Sequence, residues 1–189
     1  KPRIIQPKIH QPGKPKIFYM FANHFNPSFM ALIKSNSGIR GTIGGKPGET
    51  LGPIDVVRFT AAFGTWLAEQ SDRKKIVIGR DGRISGEMVQ RLVVSTLNAL
   101  GLDVVDLGLS TTPTVEMAVV TEKAAGGIIL TASHNPKEWN ALKLLNEKGE
   151  FISGEAGAKV LDIAAKEAFV FAQVDQLGSY TTNDQALHQ

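Results

Sequence analysis

The sequence KKIVIGRDGRISGEMVQRLVVSTLNALGLDVVDLG, residues 74–108, contains a complete strand–helix–strand unit. It opens with a short apolar segment that runs into a charged turn, and it closes with a second apolar segment, DVVDLG. Between the two, Val89, Val93 and Leu97 recur at helical spacing, which predicts a helix over 86–100. Two strands separated by a helix of this length predict a crossover connection and parallel strands in one sheet.

The same alternation continues on both sides of this unit. A helix is predicted over 53–70, where Pro53 suits the first turn and apolar residues recur on one face. Two more helices and two more strands follow, predicted over residues 112–123 and 153–169 and over residues 126–130 and 140–146. The last of these strands alternates as a half-exposed strand does. Strands that alternate with helices in this way predict an α/β fold with a mainly parallel sheet.

The composition is that of an ordinary globular protein. The 189 residues are 42% hydrophobic and 21% charged, and this length favours a single domain. No apolar run approaches the roughly 18 residues that span a bilayer, so we expect a soluble protein without a membrane partner. The absence of cysteine excludes disulfides, thiolate metal sites and a thiol nucleophile. It also fits a reducing compartment, so the expected location is cytoplasmic.

The positive charge of the chain is confined to its N-terminal segment. Residues 1–29 carry five Lys and Arg and no Asp or Glu, whereas residues 30–189 carry 16 basic and 18 acidic residues. The net charge of +3 and the pI of ≈ 9.2 therefore do not describe the body of the protein, which is mildly acidic. A nucleic-acid partner loses its main support, because that function needs basic residues on the folded surface.

The N-terminal segment also differs from the rest in its prolines. Residues 1–29 hold five of the nine prolines and show no amphipathic period. Proline at this density removes backbone donors and blocks helices, so we expect an extended or disordered extension, with Met30 as the working start. A partner-binding arm is the alternative. The folded domain is expected over 30–170, and residues 171–189, which offer little to bury, are expected to begin a connection.

The apolar strand over 126–130 runs into TASHNP, residues 131–136. In open α/β sheets, ligands bind beyond the carboxyl ends of the strands, which makes Ser133 and His134 candidate functional residues. The alternative is a plain turn, because Asn and Pro favour turns. A serine hydrolase is disfavoured, because no G-x-S-x-G elbow is present and adjacent residues rarely reach each other as nucleophile and base.

Two further clusters lie upstream of the serine. In SNSGIRGTIGG, residues 35–45, the glycines permit close backbone approach to a ligand and Arg40 offers a planar fork for phosphate oxygens. A flexible glycine turn with a solvated arginine is the alternative. In GRDGRISG, Arg80, Asp81 and Arg83 follow a strand, and a structural ion pair is the favoured interpretation.

Together, SGIRGTIGG, GRDGRISG and TASHNPKEWNALK resemble, in this order, the α-D-phosphohexomutase family, which includes phosphoglucomutase/phosphomannomutase and phosphoglucosamine mutase. The likeness extends from about Met30 to the C-terminus, and the serine motif is its most specific part. It implies a first domain of the phosphoglucomutase type, a three-layer α/β/α fold with a mixed, mainly parallel sheet. Because such enzymes have four domains, it also implies that residues 171–189 begin a linker and that domains II–IV of the same polypeptide are partners.

The resemblance implies a role for each candidate residue. Ser133 would be the phosphoserine that exchanges a phosphoryl group with a hexose phosphate, moving it between C1 and C6. A hexose 1,6-bisphosphate would be both the intermediate and the activator. His134 would assist proton transfer, and Arg40 and Lys143 would stabilise the charge of the phosphoryl group. The same four residues would bind the phosphate of the substrate.

A magnesium ion is implied as well. In the family, Mg²⁺ is held by the serine phosphate and by an acidic DGDGDR-type loop, a motif that this sequence lacks. Ser133, through its phosphate, would therefore be the one metal ligand that this chain supplies. We expect the chain alone not to catalyse.

Two residues depart from the family pattern. Ala141 stands where relatives usually carry Gly, and Ser37 stands where phosphoglucosamine mutases usually carry Asp. The first departure bears on the local backbone, because Ala is disfavoured wherever φ must be positive. The second bears on which hexose phosphate is the substrate. A non-catalytic sugar-phosphate-binding module is the alternative function, since it too would use Arg40 and the glycines around it.

Overall fold

A computed structural model describes residues 31–35 and 38–183 of the chain. The predictions for residues 1–29 and for Ser37 lie outside these ranges, as does the predicted linker beyond residue 183. The helices and strands of the described part are, in chain order, β1 (Leu32–Ser35), β2 (Gly38–Thr42), α1 (Pro53–Gln70), β3 (Lys75–Arg80), α2 (Gly86–Ala99), β4 (Asp103–Leu109), α3 (Thr112–Thr121), β5 (Gly126–Leu130), β6 (Trp139–Leu145), α4 (Gly154–Lys166) and β7 (Tyr180–Thr182), with a short 3-10 helix at Val174–Gln176.

The described strands form one mixed sheet in the order β1-β2-β6-β5-β3-β4-β7. Strands β5, β3, β4 and β7 are parallel neighbours, as the crossover pattern predicts. Strand β2 pairs antiparallel with β1 and with β6, and β6 is also antiparallel to β5. The prediction of an α/β fold with a mixed sheet is confirmed, and the parallel pairing is confined to one half of that sheet.

Alternate residues of the central strands are buried in two separate cores, one on each face of the sheet. In β3, Ile76 and Ile78 pack with the apolar faces of α1, α2 and α4, whereas Val77 packs with α3. Helix α3 lies over β3 and β5. The three-layer α/β/α arrangement follows from this alternation.

The helix boundaries follow local signals. Helix α1 begins at Pro53, which occupies its first turn, and extends to Gln70 as predicted. Helix α4 is shorter than its predicted 153–169, because Glu167 adopts a left-handed conformation (φ 49°) and ends the helix at Lys166. None of the described helices is both long enough and apolar enough to cross a membrane.

Two strands differ from the sequence-based expectation. Strand β6 lies between β2 and β5, so five of its seven residues are buried, and the prediction of a half-exposed strand was wrong. The glycine-rich cluster over 35–45 contains a regular strand, Gly38–Thr42, which no alternation in the sequence indicates. Arg40 is therefore carried by a strand and not by a flexible glycine turn.

The segment after residue 170 is attached to the sheet by its described part. Tyr180–Thr182 forms β7, which pairs in parallel with β4 at the sheet edge. Ser179 donates its hydroxyl and its main-chain N–H to the Asp103 carboxylate at 2.7 and 2.8 Å, and these bonds lower the pKa of Asp103 from its ordinary value. The domain boundary at residue 170 stays a prediction, although the sheet extends beyond it.

Gly38, in β2, faces the main chain of β6 at a distance that leaves no room for a side chain. A Cβ at this position would lie 2.3 Å from the carbonyl oxygen of Leu142. Because β6 is also hydrogen-bonded to β5, it cannot move away from β2 without disturbing a second ladder. Gly38 therefore permits the close approach of the strand that carries Arg40.

Gly38→Ala is accordingly expected to lower the free energy of unfolding by about 1–3 kcal/mol, the usual cost of overpacking a tight site. Urea denaturation measures this change. Gly82→Ala is the control, because no atom beyond Gly82 and its two chain neighbours lies within 4 Å of the position that its Cβ would take, and its φ is not positive. The control should stay within about 0.5 kcal/mol of the parent protein. Equal destabilisation by both substitutions would contradict the proposed role of the β2–β6 contact.

Candidate active site

We call residues 131–138, between β5 and β6, the serine loop. Within it, Ser133 has a φ of 52°, a left-handed conformation that is uncommon for a residue with a side chain. Its N–H donates to Thr131 Oγ1 at 2.9 Å, and Ser133 is exposed near the carboxyl end of β5. A residue keeps such a conformation only where the surrounding structure offsets its energetic cost. Residues of this kind are found often at functional sites.

The ammonium of Lys143 lies within hydrogen-bonding distance of the Ser133 hydroxyl. Lys143 Nζ donates to Ser133 Oγ at 3.1 Å. The register of β6 places Lys143 opposite Ile129 of β5 and Gly38 of β2. The ammonium also lies 5.9 Å from the ring centre of Phe151. A positive charge is thus placed where it would stabilise negative charge on Oγ.

Arg40 is brought to the same face by strand pairing. It is paired with Ala141 of β6, two residues from Lys143, so both cationic side chains leave the same face of the sheet. Both residues line one cavity of about 420 Å³. Arg40 is exposed, and its guanidinium makes no hydrogen bond or ion pair with any residue of the described ranges. Its donors are therefore available to a ligand.

His134 follows Ser133 directly and is exposed. Its imidazole has no hydrogen-bond partner within residues 31–35 and 38–183, so the structure offers only its place beside Ser133 in support of the expected role in proton transfer. The N–H of Asn135 donates to the carbonyl oxygen of Ala132 at 3.0 Å. The alternative interpretation of this segment as a turn is therefore correct for the backbone. The functional hypothesis concerns the exposed side chains of Ser133 and His134.

The ion pair expected in GRDGRISG is present between Asp81 and Arg83, with Oδ2 and Nε 3.2 Å apart. Arg80 does not join it, because its Nε donates to Gln90 Oε1 at 2.7 Å. The guanidinium of Arg83 also donates to four main-chain carbonyls in and directly after the serine loop, which sequence reasoning missed. The sequence did offer one signal for this contact. Both segments directly follow predicted strands, β3 and β5, and the loops after parallel neighbouring strands meet at one edge of the sheet.

Ala141, which departs from the family pattern, is buried in β6 opposite Arg40. Among the described residues other than glycine, a positive φ is found at Lys123, Ser133 and Glu167. Position 141 therefore does not need a glycine, and the departure leaves the strand regular.

The described residues do not form a metal site by themselves. They contain no group of three or more His, Cys, Asp or Glu side chains that could share one ion. The Asp81 carboxylate is bound to Arg83, and the Ser133 hydroxyl faces an ammonium. This donor set alone does not fit Mg²⁺, which takes oxygen ligands in a near-octahedral arrangement.

Residues 31–171 match the family model described as phosphoglucomutase/phosphomannomutase, alpha/beta/alpha domain I. The match extends from β1 through α4 and includes all four candidate residues.

Curated proteins are similar to this chain over most of its length. A phosphoglucomutase/phosphomannomutase of Thermococcus kodakarensis is 37% identical over 156 residues, which are 82% of this chain and 33% of that protein. A phosphoglucosamine mutase of Wolinella succinogenes is 35% identical over 128 residues, which are 68% of this chain and 29% of that protein. The chain thus spans about a third of the length of the curated relatives it matches.

A solved structure gives the same result for the fold. The crystal structure of a phosphoglucomutase/phosphomannomutase family protein from Burkholderia thailandensis matches with a TM-score of 0.67 and 28% sequence identity. The likeness covers 82% of this chain and 32% of that chain. It confirms the fold that the resemblance implies.

Proposed function

Since this chain belongs to the phosphoglucomutase/phosphomannomutase family as an α/β/α domain I, we propose that it is the catalytic-serine domain of a phosphohexomutase. Such an enzyme is an isomerase that moves a phosphoryl group between C1 and C6 of a hexose phosphate. The observation that carries the proposal is the 3.1 Å contact between Lys143 Nζ and Ser133 Oγ on an exposed loop. A serine that only capped a turn would not need an ammonium at its hydroxyl.

The proposed phosphoryl carrier is Ser133 Oγ. In the first half-reaction, the bond between Oγ and phosphorus breaks and a bond from phosphorus to a sugar hydroxyl oxygen forms, which gives the hexose 1,6-bisphosphate. The sugar hydroxyl loses its proton, and the serine hydroxyl regains one. In the second half-reaction, the bond between the other phosphorus and its sugar oxygen breaks and a bond from that phosphorus to Oγ forms. The serine hydroxyl loses its proton, the sugar oxygen gains one, and the isomerised hexose phosphate leaves. The bisphosphate also acts as an activator, because it can phosphorylate a free serine.

Two cations would stabilise the charge that this transfer develops. Phosphoryl transfer spreads negative charge over three equatorial oxygens, so fixed positive groups lower its barrier. Lys143 stands at Oγ, the oxygen that becomes negative as its bond to phosphorus breaks. Arg40 lines the same cavity and would bind two phosphate oxygens with its planar fork.

His134 would take the proton of the attacking sugar hydroxyl. It is exposed on the same loop as Ser133, so a bound sugar can reach it. A neutral imidazole has a nitrogen that can accept a proton, and the imidazolium can return it later in turnover.

We also propose that domains II–IV of the same polypeptide complete the site. The supporting observations are that the chain spans about a third of its relatives' length and that Ser133, His134 and Arg40 are exposed. In the complete site, Mg²⁺ would be bound by the phosphate on Ser133 and by carboxylates from outside the described residues, and it would supply further charge neutralisation. The chain alone is expected not to catalyse, and the cytoplasm stays its expected location.

A non-catalytic sugar-phosphate-binding module would also use Arg40 and the cavity beside it. It would not need a reactive serine hydroxyl held against an ammonium. Phosphorylation of Ser133 therefore separates the two functions.

Ser133→Ala in the full-length protein is expected to abolish phosphoryl transfer and to leave the fold intact, because this exposed side chain contributes little to the core. Intact-mass measurement after incubation with glucose 1,6-bisphosphate should show one added phosphate on the wild-type protein and none on the variant. Ser95→Ala, on an exposed position of α2, is the matched control and should take up phosphate normally.

Near-normal mutase turnover by Ser133→Ala would contradict the proposal that Ser133 is the phosphoryl carrier. Wild-type protein that binds the bisphosphate without taking up phosphate would favour the binding module.

Arg40→Lys is expected to lower kcat/KM by about tenfold or more, because lysine keeps the charge but loses the bidentate contact with phosphate. The melting temperature should not change, since Arg40 is exposed and its guanidinium has no partner among the described residues. Steady-state kinetics and thermal melting measure the two effects. Arg91→Lys, on the exposed face of α2, is the control. Unchanged kinetics in Arg40→Lys would show that Arg40 is only a solvated surface residue.

His134→Gln is expected to slow turnover by about a hundredfold, the usual order for a lost general acid or base. The pH–rate profile should change as well, because an amide cannot replace the group that is proposed to transfer the proton. Lys137→Gln, at a neighbouring exposed position of the serine loop, should retain the normal rate and profile. If the rate and the profile are both unchanged in His134→Gln, His134 has no part in proton transfer.

A further inference from the structure

The guanidinium of Arg83 has a hydrogen-bond acceptor for each of its five N–H groups. Nε donates to the Asp81 carboxylate at 3.2 Å, and the other four N–H groups face four main-chain carbonyls at 2.6 to 3.0 Å. These carbonyls belong to Ser133 and Asn135, bound by Nη2, and to Pro136 and Trp139, bound by Nη1. Only 11% of the side chain is exposed. No N–H group of Arg83 therefore remains for a substrate.

Three of the four carbonyls lie in the serine loop, outside the strands. A main-chain carbonyl turned towards the protein needs a donor, and a loop has no neighbouring strand to supply one. A single planar group that binds several carbonyls also fixes their positions relative to one another. Lysine cannot replace it, because an ammonium has three donors and no planar fork.

The guanidinium is itself fixed to the sheet through Asp81. Oδ1 of Asp81 accepts a hydrogen bond from the main-chain N–H of Arg83 at 3.0 Å, and Oδ2 accepts one from the Nε–H group. The carboxylate therefore orients both the backbone and the guanidinium of Arg83. The N–H of Asp81 donates to the carbonyl of Leu130, the last residue of β5, at 3.1 Å. Asn140, in β6 just after the serine loop, donates its Nδ2 to Ser85 Oγ at 3.0 Å, so the loop after β3 is joined to both ends of the serine loop. The serine loop is thus held against the ends of β3 and β5.

The contact with Ser133 bears directly on its hydroxyl. Arg83 Nη2 donates to the Ser133 carbonyl oxygen at 2.6 Å, on the residue whose φ is 52°. With the peptide plane after Ser133 held in this way, Oγ stays 3.1 Å from Lys143 Nζ. Without the contact, the backbone of Ser133 would be free to relax to a more common conformation, and Oγ would move away from the ammonium.

We propose that Arg83 is a positioning residue that holds the serine loop in the conformation required for phosphoryl transfer and does not contact the substrate. The inference rests on the proposed function, because it takes Ser133 as the phosphoryl carrier. Arg83 contrasts with Arg40, whose guanidinium has no partner among the described residues. One arginine is available to a phosphate, and the other is committed to the loop.

Hydrogen–deuterium exchange of the full-length protein tests the structural part of this proposal. In Arg83→Lys and Arg83→Met, exchange in peptides covering residues 131–139 is expected to be about tenfold faster or more, because loop amides lose protection when the carbonyls are released. Exchange in peptides of α1 should not change. Arg58→Lys is the matched control, because Arg58 is a partly buried arginine paired with Glu167. It should leave exchange in 131–139 at the wild-type rate.

Turnover gives the second readout. Both Arg83 variants are expected to lose about a hundredfold in kcat, the order expected when a reacting group is misplaced by about 1 Å. KM should stay within about threefold, because Arg83 has no donor left for the substrate. In Arg83→Ala, added ethylguanidinium should restore part of kcat, and ethylammonium should not, since only the former has the planar fork.

Wild-type exchange in 131–139 together with wild-type kcat in both variants would overturn the proposal. A rise in KM of about tenfold or more with kcat unchanged would also overturn it, because Arg83 would then be a substrate ligand. If Arg83→Met loses its fold, exchange in α1 rises as well, and Arg83→Lys decides the question. Failure of the proposed function has its own signature, a wild-type protein that takes no phosphate on Ser133. The exchange measurement would then still show whether Arg83 holds the loop.

Discussion

Strand β6 is hydrogen-bonded along both edges, to β2 and to β5, and this double antiparallel pairing places the charges of the site. The register with β2 sets the position of Arg40, and the register with β5 sets that of Lys143. Because side chains alternate between the faces of a strand, a slip of one residue would turn Lys143 into the core that holds Leu142 and Leu144. Burying an unpaired ammonium there is costly. The apolar core and the site therefore enforce the same register.

The parallel half of the sheet supplies the other requirement, two loops at one edge. Strands β3 and β5 are parallel neighbours, so the loop that carries Arg83 and the loop that carries Ser133 leave the sheet side by side. The antiparallel half presents cations on strands, which are rigid. The parallel half presents the hydroxyl on a loop, which can adopt the uncommon conformation of Ser133 but needs external donors for its carbonyls. The mixed sheet thus combines two kinds of support in one site.

Local signals predicted the helices and the parallel strands, because Pro53 fixes the first turn of α1 and the apolar run over 126–130 coincides with β5. Strand β2 and the burial of β6 depend on strands that are far away in the chain. No local pattern within Gly38–Thr42 predicts that this segment pairs with β6. The same limit applies to the site. Candidate side chains such as Ser133 are visible in a sequence. Four of the five acceptors of Arg83, however, are main-chain carbonyls, which every residue has and which therefore leave no pattern in the sequence.

The proposed binding of a phosphate group would depend on a local arrangement of charge, because residues 30–189 carry more acidic than basic side chains. Arg40 and Lys143 leave the same face, line one cavity, and have no carboxylate partner in the part of the chain that the structure describes. A phosphate bound between them would exchange hydration for charge-assisted contacts, which strengthen as water is excluded. On an exposed face this gain is modest. In the proposed function, the two cations would therefore contribute fully to phosphoryl transfer only when further protein closes over them.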